Sequence, residues 1–416
     1  MQTILTRVVR QGLRLKKMIE LRPYQQDVVS KIMWAKDLTG NDVITVAQGG
    51  GKSVIIAEIA HRLGKPVLVV CPNKEILEQN IDKMTHLMPR TEIGVFSASM
   101  KEKTIKSITF GTIQSMYKHP ELFTGFDVVI YDECDLHNPK NLDGMSTTLF
   151  KQAGIKKVFG FTGTPFRQDH YYERWGTQKW MVRTVTTTKM IARMRPFFWS
   201  RMLCVINTQE LLDLGYLSPI TYHDVKLIDH EEIKTNKSQS DFDMEDFESK
   251  IESKYQGIAN YIIKLPHKGK LVFASSIEQA KALQMLVEGS VVVTSETNRK
   301  EREKAVEDLK AGRISVVFNV GIFTVGFDYP ELDCLVLLRP TRSLRLHCQI
   351  LGRVSRIAPG KECGHVYDLV SNVRNLGKLN EIQIKKDDTG KWNVMGGKYP
   401  SGYHMEPLYS YQLKKK

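Results

Sequence analysis

Two hydrophobic segments of this chain each end in residues suited to nucleotide phosphates, and they constrain the fold more than any other feature. The sequence ITVAQGGGKS (residues 44–53) predicts a strand, a glycine loop and the start of a helix. The sequence VVIYDECD (residues 128–135) predicts a buried strand that ends in two adjacent carboxylates. A phosphate-binding loop and a carboxylate pair together can hold a nucleotide, its Mg²⁺ and an attacking water, so we predict an NTP hydrolase.

The loop itself contains three consecutive glycines: Gly49, Gly50 and Gly51. Glycine tolerates positive φ, which lets backbone N–H groups turn towards phosphate oxygens. We expect Lys52 to reach the β and γ phosphates and Ser53 to place its hydroxyl on Mg²⁺, at the start of a helix over about residues 52–63. Val46 stands where the GxxxxGK[ST] pattern has its first glycine, so a flexible glycine turn beside an unrelated lysine is the alternative.

The carboxylates Asp132 and Glu133 follow a strand of residues suited to burial. In open α/β sheets, ligands bind at the carboxyl ends of the strands, where both side chains are expected to lie. Asp132 is predicted to hold Mg²⁺, and Glu133 to orient or deprotonate the attacking water. A solvated acidic loop is the alternative for this segment taken alone.

Length and composition set the outer bounds. A chain of 416 residues can form two α/β lobes and a tail. Its hydrophobic content of 42% and charged content of 25% are typical of soluble globular proteins, and no apolar run reaches the roughly 18 residues that span a bilayer. The basic N-terminal residues lack the apolar segment and cleavage site of a secretory signal, so we expect a cytoplasmic protein with no membrane partner.

Cysteine spacing and net charge indicate which ligands and partners the chain is suited to bind. The six cysteines are scattered without CxxC spacing, which predicts neither a zinc site nor a disulfide framework. The formal net charge of +14 favours a polyanionic partner such as nucleic acid, although it does not distinguish DNA from RNA.

Short β-branched segments alternate with amphipathic helical stretches in two successive sets, which predicts two α/β lobes with parallel sheets. Strands of the first set are expected at residues 43–46, 67–70, 108–110, 128–131 and 158–161. Strands of the second set are expected at residues 271–273, 291–294, 315–318 and 335–338, with helices at about 277–288, 298–310 and 343–355. The second set contains no glycine loop, so we expect it to complete the site of the first.

These patterns divide the chain into five segments. They are a basic N-terminal segment (1–20), a nucleotide-binding first lobe (21–215), a linker with an acidic insertion (216–269), a second lobe (270–372) and a basic tail with a predicted hairpin (373–416). Residues 229–250 carry eight acidic against three basic residues, which predicts a solvated insertion, either a mobile loop or an exposed helix.

Nine sequence blocks along residues 21–369 occur in the order found in a known family. They are LRPYQQ (21–26), GGGKS (49–53), CPNKEILEQN (71–80), FGTIQS (110–115), DECD (132–135), FTGTPFR (161–167), LVFASS (271–276), TVGFD (324–328) and QILGRVSR (349–356). The chain thus resembles superfamily 2 helicases and translocases, most closely the RadD-like and phage UvsW-like DNA helicases. The resemblance implies an α/β fold of two tandem RecA-like lobes with parallel sheets, plus a short basic C-terminal tail.

For the nucleotide, the resemblance implies ATP with Mg²⁺. Gln25, with Arg22 nearby, would recognise the adenine, since a side-chain amide both donates and accepts hydrogen bonds. Two exposed residues at the start of a helix are the alternative. Gly326 and Asp328 would meet the ribose, and the alternative for this pair is a simple turn.

Three residues near the end of the second lobe are implied in catalysis. Arg353 and Arg356, spaced three apart on one face of the helix predicted from Ser343, would act as arginine fingers on the γ phosphate. Exposed arginines on a basic helix are the alternative. Gln349, one turn earlier, would position the γ phosphate or the water.

The resemblance also implies a coupling loop and a nucleic-acid track. Thr162, Gly163 and Thr164 resemble the family's threonine-alanine-threonine coupling motif, and the central glycine is expected to loosen this loop by about 0.5–1 kcal/mol. The residues implied to contact a sugar-phosphate backbone are Pro72, Lys74, Gln79, Thr112, Ser275, Thr294 and Thr324. Aromatic and basic residues interleaved over residues 170–201 would form a stacking or strand-separating surface, or else belong to the core.

The resemblance therefore predicts an ATP-dependent DNA helicase or translocase that works as a monomer. Its substrate would be branched DNA, such as forks or recombination intermediates, held by single-strand or duplex backbone contacts. If the chain is phage-encoded, it would act in the host cytoplasm. The alternatives are an RNA helicase, a duplex-translocating motor of a restriction or defence assembly, and a binding module without turnover.

Overall fold

The computed structural model of the protein describes residues 20–174, 182–238, 240–322, 329–396 and 408–412. The pattern of contacts divides the chain into two compact units. The first unit comprises Met1–Ile44 and Gly51–Phe161, and the second comprises Thr45–Gly50 and Thr162–Lys416. The division thus passes through the glycine loop, between Gly50 and Gly51.

The first unit is built on a largely parallel sheet. Its strands are β1 (Asn41–Val46), β2 (Val67–Cys71), β3 (Ile93–Ser97), β4 (Glu102–Thr104), β5 (Ile108–Thr112), β6 (Val128–Asp132) and β7 (Lys157–Thr162). These strands follow the order β1-β7-β6-β2-β5-β3-β4 across the sheet. Strands β2, β5 and β6 are buried along their whole length, which explains why their sequences are mostly apolar and β-branched, with Asp132 at the end of β6 as the charged exception.

Five α-helices lie in the described part of this unit, and two of them lead directly to the site. They are α1 (Pro23–Ala35), α2 (Lys52–Arg62), α3 (Lys74–Met84), α4 (Ile113–Met116) and α5 (Met145–Gln152). Helix α2 follows the glycine loop, whose last residue, Gly51, adopts the left-handed conformation with φ of 78°. Helix α3 begins after Asn73, whose side chain accepts the N–H of Ile76 at 2.9 Å.

The second unit contains a six-stranded parallel sheet and smaller antiparallel elements. Its strands are β8 (Phe166–Arg174), β9 (Val182–Met190), β10 (Trp199–Ile206), β11 (Ile220–Asp224), β12 (Lys270–Ala274), β13 (Ser290–Val293), β14 (Val316–Asn319), β15 (Cys334–Leu338), β16 (Gly364–Asp368), β17 (Gln383–Lys386), β18 (Trp392–Met395) and β19 (Leu408–Gln412). The parallel sheet has the order β11-β16-β15-β12-β14-β13, and β19, β9 and β8 form an antiparallel sheet.

The helices of this unit are mostly short. They are α6 (Thr208–Asp213), α7 (Met244–Ile251), α8 (Tyr255–Lys264), α9 (Ile277–Leu286), α10 (Arg299–Lys310), α11 (Leu344–Leu351) and α12 (Asn372–Leu376). In the part of the chain that the structure describes, no helix has both the length and the apolar character needed to cross a membrane.

The α/β fold with parallel sheets is confirmed. Each strand predicted in the two sets corresponds to a strand of a parallel sheet, within a residue or two at its ends. The predicted helix over about residues 52–63 is α2. The hairpin predicted around Asp388, Thr389 and Gly390 is formed by β17 and β18, which pair in antiparallel register.

The helix predicted over residues 343–355 is too long. Helix α11 ends at Leu351, and the chain then tightens into turns in which the N–H groups of Arg353 and Val354 donate to carbonyls three residues back, at 3.1 and 3.2 Å. Gly352 is a poor helix former, and a Cβ at this residue would lie 2.5 Å from the Cβ of Gln48. Close packing at Gly352 thus coincides with the end of the helix.

Part of the predicted linker is a strand of the second sheet. Strand β11 pairs with β16 along its whole length, from Ile220 opposite Gly364 to Asp224 opposite Asp368. As an edge strand it is only half-buried, so its sequence mixes polar with apolar residues and lacks the apolar run that marks the other strands. The contact pattern also assigns residues 162–215 to the second unit, whereas the sequence placed them in the first lobe.

The acidic insertion contains a well-capped helix. The side chain of Asp243 accepts the N–H groups of Glu245 and Asp246 at 3.0 and 3.2 Å, which fixes the start of α7. Phe247 and Ile251 on this helix are fully buried. Residues 244–251 therefore pack into the second unit through one face, and their acidic face remains more exposed.

Candidate active site

The centre of the site is an ion pair between Lys52 and Glu133, which lie just beyond the carboxyl ends of β1 and β6. The Lys52 ammonium donates to the Glu133 carboxylate, and the two side chains are only 12% and 9% exposed. Burial acts to lower the pKa of Lys52, but the nearby carboxylates of Glu133 and Asp132 oppose it, and the net shift is upwards. The lysine is therefore held in its protonated form.

Glu133 adopts an uncommon backbone conformation. Its φ of 51° and ψ of 50° lie in the left-handed region, which a residue with a side chain adopts at a cost of about 1–3 kcal/mol. This conformation ends β6 abruptly and starts a short turn of 3₁₀ helix. Strained residues of this kind cluster at functional sites, and here the strain accompanies the contact with Lys52.

Asp132 is held by two hydrogen bonds inside the protein. Its Oδ1 accepts the N–H of Glu133 at 3.0 Å, and its Oδ2 accepts the side-chain amide of Asn80 at 2.9 Å. Burial raises the pKa of Asp132, whereas the charge of Lys52 and the hydrogen bond from Asn80 lower it, and the net direction is upwards. The carboxylates of Asp132, Glu133 and the buried Asp135 all lie close enough to raise the pKa of Lys52, so the site concentrates carboxylates around one ammonium.

These residues fit Mg²⁺ held jointly with phosphate. No group of three or more His, Cys, Asp or Glu side chains in the described ranges could hold a metal ion by itself. Mg²⁺ usually keeps several waters and needs only one or two protein ligands when a phosphate supplies the rest. The buried Asp132 carboxylate and the hydroxyl of Ser53, at the start of α2, are donors of the right kind.

Gln25 packs against the glycine loop within the first unit. Its side chain is 3% exposed, and its Oε1 accepts the N–H of Arg22 at 3.0 Å. A Cβ placed at Gly51 would lie 2.6 Å from Gln25 Nε2, so a side chain at residue 51 would displace the amide. The alternative of an exposed glutamine at the start of a helix does not describe Gln25. Arg22 is only half-buried, and its guanidinium reaches the hydroxyl of Tyr24 at 3.5 Å.

The predicted arginine fingers belong to the second unit, as does the first part of the glycine loop. Gly49 has a φ of 80°, and a Cβ at this residue would lie 2.8 Å from Leu217 Cδ2 and 3.7 Å from Arg356 Cγ. Arg353 is 8% exposed. Because α11 ends at Leu351, the prediction that both arginines lie on one helix face is wrong. They follow the helix in tight turns, which bring the stem of Arg356 to Gly49.

Gln349 lies on α11 and is 4% exposed. Within the described residues, no hydrogen-bond acceptor pairs with its buried Nε2. The catalytic role of Gln349 stays a prediction, and its buried Nε2 is a donor to which a further group can bind.

The residues of the predicted coupling loop belong to the second unit. The N–H of Thr164 donates to the hydroxyl of Thr162 at 3.0 Å, and neither threonine is exposed. A Cβ at Gly163 would lie 2.8 Å from the side-chain nitrogen of Gln48. The glycine therefore leaves the space that Gln48 occupies, which is a packing reason for the absence of alanine here.

The predicted nucleic-acid contacts of the first unit differ in accessibility. Lys74 is half-buried, with an ion pair to Glu78 at 3.8 Å, and Gln79 is also half-buried. The carbonyl of Pro72 accepts the side-chain amide of Gln114 at 2.7 Å. Thr112 is 4% exposed and donates its hydroxyl to Ser115 at 2.9 Å, so this conformation does not present that hydroxyl at the surface.

In the second unit, an acidic side chain accepts a hydrogen bond from one of the predicted nucleic-acid contacts. The hydroxyl of Ser275 donates to the carboxylate of Glu248 on α7, which also accepts the hydroxyl of Tyr255 at 2.5 Å and the amide of Gln279 at 3.3 Å. Thr294 is 7% exposed, and its hydroxyl accepts a neighbouring backbone N–H.

Thr324, Gly326 and Asp328 lie outside the described residues, as does part of the aromatic and basic stretch over residues 170–201. Within that stretch, Trp199 is 2% exposed and belongs to the core, whereas Phe197 is 67% exposed.

No role was predicted from the sequence for two residues that contact predicted functional residues: Asn80, which contacts Asp132, and Glu248, which contacts Ser275. Asn80 falls on the buried face of α3, at a position where Ile76, Leu77, Ile81 and Met84 are its neighbours. A polar side chain at an apolar position of an amphipathic helix is the signal that could have identified it. Glu248 has no comparable signal, because it is one of eight acidic residues in the insertion over residues 229–250.

Two family profiles match the chain, one in each half. The profile described as the res subunit of type III restriction enzymes matches residues 18–167. The profile described as the helicase conserved C-terminal domain matches residues 253–358. The first match includes Lys52, Asp132 and Glu133, and the second includes Arg353 and Arg356.

Curated relatives align over most of the chain. IRC3 of Saccharomyces cerevisiae, described as an ATP-dependent helicase, is 23% identical over 400 residues, which are 88% of this chain and 54% of IRC3. Helicase 22 of a Sulfolobus islandicus filamentous virus, also described as a helicase, is 26% identical over 402 residues, covering 88% of this chain and 68% of that protein. The chain thus spans about half the length of the yeast relative.

Solved structures share the fold. The ATP-dependent type ISP restriction-modification enzyme LlaBIII, solved bound to DNA, superposes with a TM-score of 0.57 at 17% sequence identity. The match covers 85% of this chain and 28% of that enzyme.

Proposed function

Because the chain belongs to the superfamily 2 helicases, with two tandem RecA-like lobes, we propose that it hydrolyses ATP to move along DNA. The observation that carries this proposal is the buried cluster of Lys52, Asp132 and Glu133 in the first unit. This cluster brings one ammonium together with two carboxylates, which are the groups needed to hold phosphate, Mg²⁺ and an attacking water.

The roles of these residues follow from their chemistry. When the γ phosphate arrives, its charge competes with Glu133 for the Lys52 ammonium, which releases the Glu133 carboxylate to accept a proton from water. Asp132 and Ser53 would hold Mg²⁺, which stabilises negative charge on the phosphates. Gln25, packed against Gly51, supports a preference for ATP, since its amide can pair with the adenine edge.

The second unit would supply further positive charge. Arg356 approaches Gly49 of the glycine loop, so its guanidinium is suited to stabilise charge on the γ phosphate as an arginine finger. Arg353 and Gln349 are close to Arg356 in the sequence and are both buried. They would assist in positioning the phosphate or the water.

DNA is the proposed polymer, with forks and other branched intermediates as the preferred substrates. The net charge of +14 supports a polyanionic partner, and the RadD-like and UvsW-like motif order supports branched DNA. The profile of a restriction-enzyme subunit and the DNA-bound relative in fold are compatible with this choice.

The experiment is a comparison of ATPase stimulation and unwinding on single-stranded, duplex, forked and four-way DNA and on RNA of the same sequence. We expect stimulation by DNA above that by RNA, with unwinding greatest on forked or four-way DNA. Equal or greater stimulation by RNA would contradict the choice of polymer. A lack of ATP hydrolysis with every nucleic acid would contradict the proposed activity.

A duplex-translocating motor without unwinding is a second candidate, favoured by the match to the res subunit of type III restriction enzymes. It predicts displacement of a triplex-forming strand from duplex DNA while forked DNA stays unopened. Measuring both signals on matched substrates separates the two mechanisms.

A further inference from the structure

Asn80 is the one polar residue in a row of buried apolar side chains on α3. Its neighbours on the buried face of the helix are Ile76, Leu77, Ile81 and Met84, and Asn80 itself has no exposed surface. An amide at such a position needs partners, because burying an unpaired polar group is unfavourable. An aliphatic side chain would meet the packing requirement alone, so the identity of residue 80 calls for another reason.

The amide of Asn80 is directed to the predicted metal ligand. Its Nδ2 donates to Asp132 Oδ2 at 2.9 Å and lies 3.4 Å from the Sγ of Cys71. An ionised carboxylate can only accept hydrogen bonds, which fixes the nitrogen of the amide on the side of Asp132. The second carboxylate oxygen accepts the N–H of Glu133 at 3.0 Å. The two hydrogen bonds together restrict rotation of the carboxylate.

The other end of the amide is unsatisfied within the described residues. Asn80 Oδ1 is buried, and no described donor lies within hydrogen-bonding distance of it. Buried acceptors without a partner are uncommon in folded proteins, and they often mark a site that is completed by a bound group. A metal-bound water has the chemistry of the missing donor.

We propose that Asn80 is a positioning residue that orients the Asp132 carboxylate for a divalent cation bound with the nucleotide. This inference rests on the proposed ATP site and extends it to a residue outside the motif positions named above. Residues that hydrogen-bond metal ligands typically change metal affinity by about 10- to 100-fold when they are mutated. Asn80 contacts no phosphate in this proposal, so its loss should affect the cation and leave metal-free nucleotide binding unchanged.

The test measures binding of a fluorescent ADP analogue by the full-length protein, in EDTA and across a Mg²⁺ titration. For Asn80→Ala, we expect the Mg²⁺ concentration that gives half of the Mg²⁺-dependent change to rise by about 10- to 100-fold. Affinity for the analogue in EDTA should stay within about twofold of wild type. The same shift in Mg²⁺ dependence should appear in ATPase assays, with kcat restored by added Mg²⁺.

The matched control is Ile81→Ala, the next residue of the same helix, which is buried and touches the core. Its melting temperature should fall, but its Mg²⁺ midpoint should not move. If Asn80→Ala lowers the melting temperature and leaves the Mg²⁺ midpoint at the wild-type value, the residue is only structural and the proposal is wrong.

A second variant protects the test against misfolding. Asn80→Asp keeps the shape of the side chain and replaces its donor by an acceptor, which places like charges together. We expect weaker Mg²⁺-dependent binding in this variant, and binding equal to or tighter than wild type would contradict the proposal. Absence of ATPase activity in the wild-type protein would count against the proposed function alone, because the ADP titration does not depend on turnover.

Discussion

The first unit contains two buried lysine–carboxylate pairs, one at the amino ends and one at the carboxyl ends of the strands of the same sheet. They differ in how many of the lysine N–H groups have a hydrogen-bond acceptor. At the amino ends of β1 and β7, the Lys157 ammonium donates to Asp42 Oδ2 at 2.7 Å and to the carbonyls of Leu38 and Gly40 at 3.0 and 2.7 Å. At the carboxyl ends of β1 and β6, Glu133 is the acceptor for the Lys52 ammonium in the described residues.

This difference indicates that the Lys157–Asp42 pair serves stability, whereas Glu133 in the Lys52–Glu133 pair can be replaced by a phosphate. Lys157 has three acceptors for its three N–H groups, so no further anion can bind it without displacing one. Lys52 lies among several carboxylates, and its hydrogen bond to Glu133 uses one of its three N–H groups, so a phosphate can replace Glu133 on the ammonium and the lysine keeps an anionic partner. A buried lysine–carboxylate pair thus serves stability at the amino ends of the strands, and a second such pair is suited to chemistry at their carboxyl ends.

The largest effect on stability is expected for Asp42→Asn. Neutralising this carboxylate leaves the buried Lys157 without its counter-charge, which should lower the free energy of unfolding by about 3–5 kcal/mol. Urea denaturation checks the loss, and ATP turnover per folded molecule should stay near the wild-type value. Loss of turnover in the folded fraction would break the distinction between the two pairs.

The largest effect on catalysis is expected for Lys52→Ala. Removing a fixed charge that stabilises the transferred phosphoryl group should reduce kcat by about 10²- to 10³-fold. Steady-state ATPase assays at saturating ATP and nucleic acid measure the change, with Asp42→Asn as the control. Turnover comparable to wild type would show that Lys52 does not act on phosphate.

Nucleotide binding should also distinguish the Lys52–Glu133 pair from the Lys157–Asp42 pair. ADP with Mg²⁺ at 100 times its Kd is expected to stabilise the wild-type protein by about 2.7 kcal/mol. Asp42→Asn should keep this increment, and Lys52→Ala should lose most of it at the same ligand concentration. Thermal or urea unfolding with and without the ligand provides the measurement. Equal increments in all three proteins would mean that neither pair meets the nucleotide.

The smallest effect concerns a third acidic contact, in the second unit. Glu248 accepts a hydrogen bond from the hydroxyl of Ser275, which is a predicted nucleic-acid contact. Because Glu248→Gln removes a partly exposed negative charge at this contact, we expect it to strengthen DNA binding by up to about fivefold at low salt. Fluorescence anisotropy with labelled DNA measures the affinity. Glu303→Gln is the matched control, since Glu303 pairs with the exposed Arg299 of α10 and gives the same change in net charge. An equal gain in the control would reduce the effect to net charge alone.

The sequence was sufficient for features that depend on local pattern. Apolar runs located the buried strands, and the glycine loop and the DECD segment located Lys52, Asp132 and Glu133 at the carboxyl ends of their strands. These predictions succeed because a buried strand requires a run of apolar residues and a left-handed backbone favours glycine, and both are visible in the local sequence.

Features that depend on packing were not predictable in the same way. The end of α11 at Leu351 coincides with close packing of Gly352 on Gln48, some 300 residues earlier in the chain, and strand β11 lacks an apolar pattern because it is an edge strand. The contact of Asn80 with Asp132 joins residues 52 positions apart. No local pattern in either segment specifies that the two side chains meet.

The most direct test of the exchange at Lys52 is Glu133→Gln, measured for ATP affinity and for turnover. We expect ATP affinity within a few-fold of wild type and a loss of kcat of about 10²- to 10⁴-fold, because Lys52 and Asp132 remain while the acceptor for the water proton is removed. Unchanged turnover would contradict the account, and so would a loss of ATP binding as large as the loss of turnover.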